Sequence, residues 1–74
     1  MKTLRYVAII EEGRRNHSAY LPDLPGCVAT GKTREECERE IGRAAEFHVE
    51  GLVLEGLPVP EPISTAIAVE IEAA

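Results

Sequence analysis

Residues 33–56 read TREECEREIGRAAEFHVEGLVLEG, and this stretch decides the fold. Thr33 is a favourable helix N-cap, and Glu36, three residues later, completes a capping box. Gly56, which a proline follows closely, is a helix stop signal. The spacing therefore predicts one helix over residues 34–55, about 33 Å long.

The predicted helix is amphipathic. Apolar or small residues recur on one side at spacings of three, four and seven. They are Cys37, Ile41, Ala44, Ala45, His48 and Leu52. The opposite side is charged, with Glu35, Arg39, Arg43, Glu46 and Glu50. A long amphipathic helix in a short chain needs a sheet to lie on, so the remaining residues should supply strands.

Four stretches outside the helix have the pattern of strands. They are Leu4–Ile10, His17–Leu21, Cys27–Thr30 and Ile63–Ile71. A polar loop separates the first two, and Pro25-Gly26, between the second and third, suits the middle of a type II turn. Short loops and a right-handed crossover predict an α+β, two-layer β-β-β-α-β fold. Its sheet would be four-stranded, with strand order 3-2-1-4 and the long helix on one face.

One face of the predicted sheet lacks cover. The first stretch, Leu4–Ile10, is largely apolar at both odd and even positions, which is typical of a strand with both faces covered. A single helix covers only one face. We therefore expect the other face to be a surface for self-association or for a partner.

Length and charge restrict the class of protein. The chain has 74 residues, which predicts a single domain over residues 1–74 and favours oligomerisation as a source of further burial. Its net charge is −5, and residues 35–74 carry ten Asp or Glu against two Lys or Arg. Such a chain suits a basic protein partner better than a phosphate backbone, although acidic helix surfaces also simply promote solubility.

Two further signals concern location. No apolar run approaches the ~20 residues of a membrane span. The first residues do not have the pattern of a secretory leader. We therefore expect a cytoplasmic protein that does not enter a membrane.

A set of short motifs runs through most of the chain. They are Tyr20-Leu21-Pro22-Asp23-Leu24-Pro25-Gly26-Cys27, Gly31-Lys32-Thr33, Glu35-Glu36, Ala44-Ala45-Glu46-Phe47-His48 and Pro58-Val59-Pro60. As a set, between roughly Tyr6 and Pro62, they resemble the HicB-like antitoxin family. The resemblance implies a partial ribonuclease-H-like fold and the antidote role in a toxin–antitoxin pair.

The resemblance also implies a partner. It is a HicA-like toxin, a small basic ribonuclease that cleaves messenger RNA through a histidine, and the antitoxin blocks access to that histidine. Many family members carry a DNA-binding segment after the last strand; this sequence ends at Ala74, so we expect no direct DNA binding. The alternative is an orphan oligomeric scaffold or ligand-binding domain of the same fold with a different partner.

Two groups of residues are candidate contacts. The proline-rich turn would present Leu21, Asp23 and Leu24 to a partner, although prolines and glycine there also suit a purely structural tight turn. A second helix stripe, about 100° or more from the core side, consists of Phe47, Gly51 and Leu54. We interpret it as the contact of a homodimer or tetramer, or as the flank of a wide core.

The sequence predicts no catalytic, cofactor or metal site. Cys37 and His48 lie eleven residues apart, roughly 16 Å along a helix, whereas zinc ligands lie about 2.0–2.3 Å from the ion. His48 has no nucleophile or carboxylate at a recognisable spacing. Cys27 and Cys37 fit small buried apolar positions, and a disulfide between them, disfavoured in a reducing compartment, stays open. We predict a binding protein and not an enzyme.

Overall fold

A computed structural model describes residues 3–74 of the chain. Within these residues the fold is a three-stranded antiparallel sheet and one helix. The elements are β1 (Ile9–Glu12), β2 (His17–Tyr20), β3 (Val28–Gly31) and α1 (Arg34–Leu54), with sheet order β1-β2-β3. The predicted antiparallel meander and the long helix are confirmed.

The first strand starts later than predicted. The sequence predicted a strand over Leu4–Ile10, whereas β1 begins at Ile9. The register explains the difference, because Ile9 pairs with Tyr20 and β2 ends at that residue. The chain turns away at Leu21, so the residues before Ile9 have no neighbouring strand to pair with.

Both ends of α1 are fixed by local hydrogen bonds. The Thr33 hydroxyl accepts the backbone N–H of Glu36 at 3.1 Å, which is the predicted N-cap bond. At the other end Gly56 has φ +70° and donates to the Val53 carbonyl, while Leu57 donates to the Leu52 carbonyl. This pair of bonds is a Schellman motif, which needs a residue that tolerates positive φ.

The core lies between one face of the sheet and α1. Its buried members are Ala19, Leu21, Leu24, Cys27, Cys37 and Ile41. The helix packs mainly on β3, where a Cβ at Gly31 would lie 2.6 Å from the Cys37 backbone nitrogen. The absence of a side chain at Gly31 therefore allows the first turn of α1 to touch the sheet. The predicted inward side of the helix is confirmed for Cys37 and Ile41.

The predicted fourth strand was wrong. In the described residues the sheet has three strands and not the order 3-2-1-4, and residues 63–71 belong to no strand. Alternation in Ile63–Ile71 indicates which side chains share a side, but a strand also needs an edge to pair with. Ile63 lies beside the β2–β3 connection, and the residues that follow it are exposed and pair with no edge.

The length and hydropathy of the helix bear on membrane insertion. Among residues 3–74, no helix combines the length and the apolar character that a bilayer crossing requires.

Candidate partner-binding surface

The loop between β2 and β3 is built from two successive turns. Leu24 donates its backbone N–H to the Leu21 carbonyl, and Cys27 donates to the Leu24 carbonyl, both at 3.1 Å. Leu21 donates to the Cys27 carbonyl at 3.3 Å and closes the loop at its base. Gly26 has φ +86°, as the third position of a type II turn requires, so the predicted turn is confirmed.

The apolar residues of this loop point into the core. Leu24 is completely buried and Leu21 is 6% exposed. Both had been predicted to present a surface to a partner, and in this conformation they anchor the loop from inside. The residues that the loop exposes are Pro22, Pro25 and Gly26. A partner that meets this loop would therefore meet a rigid rim of prolines.

Asp23 connects the loop to a distant part of the chain. Its carboxylate accepts the backbone N–H groups of Ile63 at 3.0 Å and Ser64 at 2.8 Å, and the Ser64 hydroxyl at 2.8 Å. The backbone bond from Ser64 has the largest effect on the pKa of Asp23 and, with the other two bonds, holds it below its ordinary value of 3.8 against partial desolvation. We name these contacts the Asp23 clamp.

Sequence reasoning missed the clamp and a second long-range contact. The Tyr6 hydroxyl donates to the Pro60 carbonyl, so the proline-rich stretch after α1 is fixed at two points. The partners are 54 and 41 residues apart in the chain. The only sequence signal was an aspartate within a proline-rich turn, which indicates a backbone-binding carboxylate without naming its partner.

The face of the sheet opposite α1 is open, as the sequence predicted. The register aligns Ile9 with Tyr20 and Tyr20 with Val28, so these three side chains form a row across the strands. Strand alternation places the row on the side away from the core residue Ala19. Val28 is 66% exposed and Tyr20 40%. We name this row, which ends beside the proline rim, the open sheet face.

The second helix stripe is exposed. Phe47 and Leu54 are 79% and 87% exposed, and no atom lies within 4 Å of a Cβ placed at Gly51. These three residues therefore do not form the flank of the intramolecular core in the described structure. Their interpretation as an oligomer contact stays a prediction, which the exposure of two large apolar side chains favours.

The two histidines and the two cysteines have separate surroundings in the described structure. His48 is half-buried, with its Cε1 atom beside Gly26 under the loop, while His17 Nε2 lies 4.0 Å from a Glu12 carboxylate oxygen. Both cysteines are buried and free, and burial raises the pKa of the Cys27 thiol. In residues 3–74 no three His, Cys, Asp or Glu side chains are grouped closely enough to hold a metal ion.

Comparison with known proteins agrees with the motif resemblance. The sequence model of one family, described as HicB_like antitoxin of bacterial toxin-antitoxin system, matches residues 6–73. A chain from a solved HicA3 and HicB3 toxin-antitoxin complex superimposes with a TM-score of 0.71 at 30% sequence identity. That match covers 81% of this chain and 70% of the other.

Curated proteins of similar sequence come from bacteria and a phage. A UPF0150 protein of Helicobacter pylori is 35% identical over 82% of this chain and 85% of its own length. A UPF0150 protein of Synechocystis is 37% identical over 76% of this chain and 72% of its own. An uncharacterized 14.9 kDa protein of Haemophilus phage HP1 is 34% identical over 84% of this chain. The match spans about half, 48%, of the phage protein's length.

Proposed function

Because the chain belongs to the HicB-like antitoxin family, we propose that it is the antitoxin of a small basic HicA-like toxin that cleaves messenger RNA. It would act by binding over the toxin's active site, without performing a reaction and without a cofactor. The observation that carries this proposal is the likeness, at 30% identity and a TM-score of 0.71, to a chain of a solved toxin-antitoxin complex.

The open sheet face is the surface that we assign to the toxin. It offers an apolar row, including Tyr20 and Val28, beside the proline rim of Pro22 and Pro25. Aromatic side chains such as tyrosine, in a well-packed setting, are enriched among the residues that contribute most of the energy of protein interfaces. Asp23, Leu21 and Leu24 would contribute by holding that rim in place.

Charge supports a basic partner. Residues 35–74 carry ten acidic and two basic side chains, so the field around α1 attracts a positively charged protein. Complementary charge speeds encounter and disfavours wrong partners more than it adds affinity. The acidic character equally disfavours messenger RNA itself as the ligand. The proposed site of action is the cytoplasm, where the toxin would meet messenger RNA.

The test uses two matched substitutions. The toxin candidate, a small basic protein sought among the products of the neighbouring genes, is purified and its cleavage of messenger RNA is measured with increasing amounts of the full chain. Wild-type chain should suppress cleavage in proportion to the complex formed. Val28→Glu should weaken suppression at least tenfold, whereas Val53→Glu should not. Val28 and Val53 are 66% and 63% exposed, so the two variants differ in location and not in chemistry.

Three results would count against the proposal. Cleavage that continues at excess wild-type chain would exclude neutralisation by occlusion. Equal loss of suppression in Val28→Glu and Val53→Glu would exclude the open sheet face. A chain that does not bind the toxin candidate but still forms oligomers would favour an orphan scaffold.

A further inference from the structure

Residues 63–74 are the most exposed apolar part of the chain. Ile63, Ile67, Val69 and Ile71 are 83%, 81%, 70% and 83% exposed. They alternate with small or acidic residues, as in a strand with one apolar side. An isolated chain seldom leaves so many branched apolar side chains in water.

The shape of the molecule shows that this segment projects from the fold. The Cα radius of gyration is 14.3 Å, whereas a compact domain of this length has about 11 Å. The longest dimension is 51 Å against 26 and 20 Å for the other two. The Asp23 clamp holds Ile63 and Ser64 at the loop, and the residues beyond it join no strand.

A groove of matching form runs between the first strand and α1. It consists of two adjoining cavities of ≈ 570 and ≈ 330 Å³. Alternate residues of the extended chain form one wall: Leu4, Tyr6, Ala8, Ile10 and Glu12. The helix forms the other wall with Arg34, Glu38, Ile41, Ala45 and Val49. We name this space the β1 groove.

The β1 groove lies open because the helix leans toward the other side of the sheet. α1 packs most closely on β3 and least on β1. β1 is also an edge strand, which pairs only with β2 in the described residues. Unprotected edge strands are templates for pairing with another chain, and natural proteins usually cover them.

The segment and the groove match in length and in character. Leu4 to Glu12 and Ile63 to Ile71 each span eight residue steps, about 26 Å in an extended chain. The segment has one apolar side, and the groove offers it Leu4, Ile10, Ile41 and Val49 between charged side chains such as Glu38 and Glu50. The segment's own groove is not its partner in this structure, since residues 63–71 join no strand there.

We propose that residues 63–71 of one chain pair with the outer edge of β1 in a second copy and lay their apolar side in that copy's β1 groove. Two chains exchange these segments reciprocally, which gives a closed two-fold pair. Prolines 58, 60 and 62 favour exchange, because each restricts itself and its predecessor to extended backbone and so opposes a fold-back loop. The proposal concerns the chain alone and does not depend on a toxin partner.

Complementary variants test the exchange. A chain that ends at Ser64 keeps the Asp23 clamp and its groove but has no segment to donate. Ala8→Arg fills the groove at an exposed position and leaves the segment intact. Each alone should show half the wild-type mass by light scattering, and a mixture should regain the wild-type mass. Circular dichroism checks that both variants keep the helix.

A second measurement locates the contact. Amide hydrogen exchange at residues 65–71 should be at least tenfold slower in the wild-type chain than in Ala8→Arg at the same concentration. Ile67→Glu with Val69→Glu should abolish that protection. Ala66→Glu with Ala68→Glu, which places the same charges on the other side of the segment, should keep it.

Three outcomes would overturn the proposal. The first is a wild-type chain that is monomeric at tens of micromolar, and the second is a truncated chain with the wild-type mass. The third is rapid exchange of residues 65–71 in the wild-type oligomer, which would place the contact elsewhere.

Discussion

Gly31 is the residue at which the sheet and the helix approach most closely. A Cβ there would lie 2.6 Å from the Cys37 nitrogen and 2.9 Å from its Cα, both backbone atoms that cannot move aside. We expect Gly31→Ala to lower the free energy of unfolding by about 1–3 kcal/mol, the usual cost of overpacking. Urea unfolding at fixed protein concentration measures it.

Gly42 provides the control for that prediction. It lies inside α1 and no atom lies within 4 Å of a Cβ placed there. Gly42→Ala should raise the free energy of unfolding by about 0.5–1 kcal/mol, because alanine loses less backbone freedom on helix formation. A destabilised Gly42→Ala together with a neutral Gly31→Ala would contradict the packing that we describe.

Asp23 gives the structure a pH dependence of known sign. The pKa of its carboxyl is lowered in the folded chain, so its stabilising effect is complete above the ordinary value of 3.8. That effect is lost as pH falls through the lower, folded-state pKa. We expect amide exchange at Ile63 and Ser64, corrected for the intrinsic pH effect, to accelerate below about pH 4.

The neutral variant separates this titration from general acid unfolding. Asp23→Asn keeps the size of the side chain but cannot act as a charged acceptor for Ser64. The corrected exchange at Ile63 and Ser64 should be faster than in the wild type at pH 6 and should not change between pH 6 and pH 3. A wild-type profile that is equally flat would mean that Asp23 does not hold this segment.

At the scale of elements, α1 depends on its caps because only Cys37 and Ile41 of its residues are buried in the core. We expect Thr33→Ala to lower the free energy of unfolding by about 1 kcal/mol, since the Glu36 amide loses its acceptor. Thr33→Ser, which keeps the hydroxyl, should have little effect. Chemical unfolding of the wild type and the two variants measures the effect. Equal stability of the alanine and serine variants would contradict a role of the hydroxyl as the helix cap.

Elements that are specified locally were predictable from the sequence. Thr33, Glu36 and Gly56 lie within one turn of the helix ends they determine, and Pro25-Gly26 determines its own turn. Elements that depend on distant partners were not predictable. Ile63–Ile71 has the pattern of a strand, but whether it pairs depends on which edge the chain reaches after the clamp at Ser64.

The candidate site shows the same division. The open sheet face was predictable, because a single helix covers only one face of a sheet whose first strand is largely apolar on both sides. The burial of Leu21 and Leu24 did not follow, because a leucine in a proline-rich turn can face a partner or its own core with the same sequence. The role of Asp23 needed the position of Ser64, which local patterns do not contain.

For the whole molecule, three surfaces carry exposed apolar side chains. They are the open sheet face, the β1 groove with its projecting segment, and the stripe of Phe47, Gly51 and Leu54. Small domains gain stability from burial between chains, and separate surfaces allow separate contacts. If the groove joins two chains and the sheet face meets a toxin, the stripe is free to join one exchanged pair to another.

We therefore predict that the stripe sets the final size of the oligomer. We expect Phe47→Glu, and separately Gly51→Leu, to halve the mass measured by light scattering, because one introduces charge and the other bulk where two helices would approach. Protection of residues 65–71 from amide exchange should persist in both variants, since that contact lies in the β1 groove. An unaltered mass in both stripe variants would remove the stripe as an oligomer contact and leave the exchanged pair as the complete assembly.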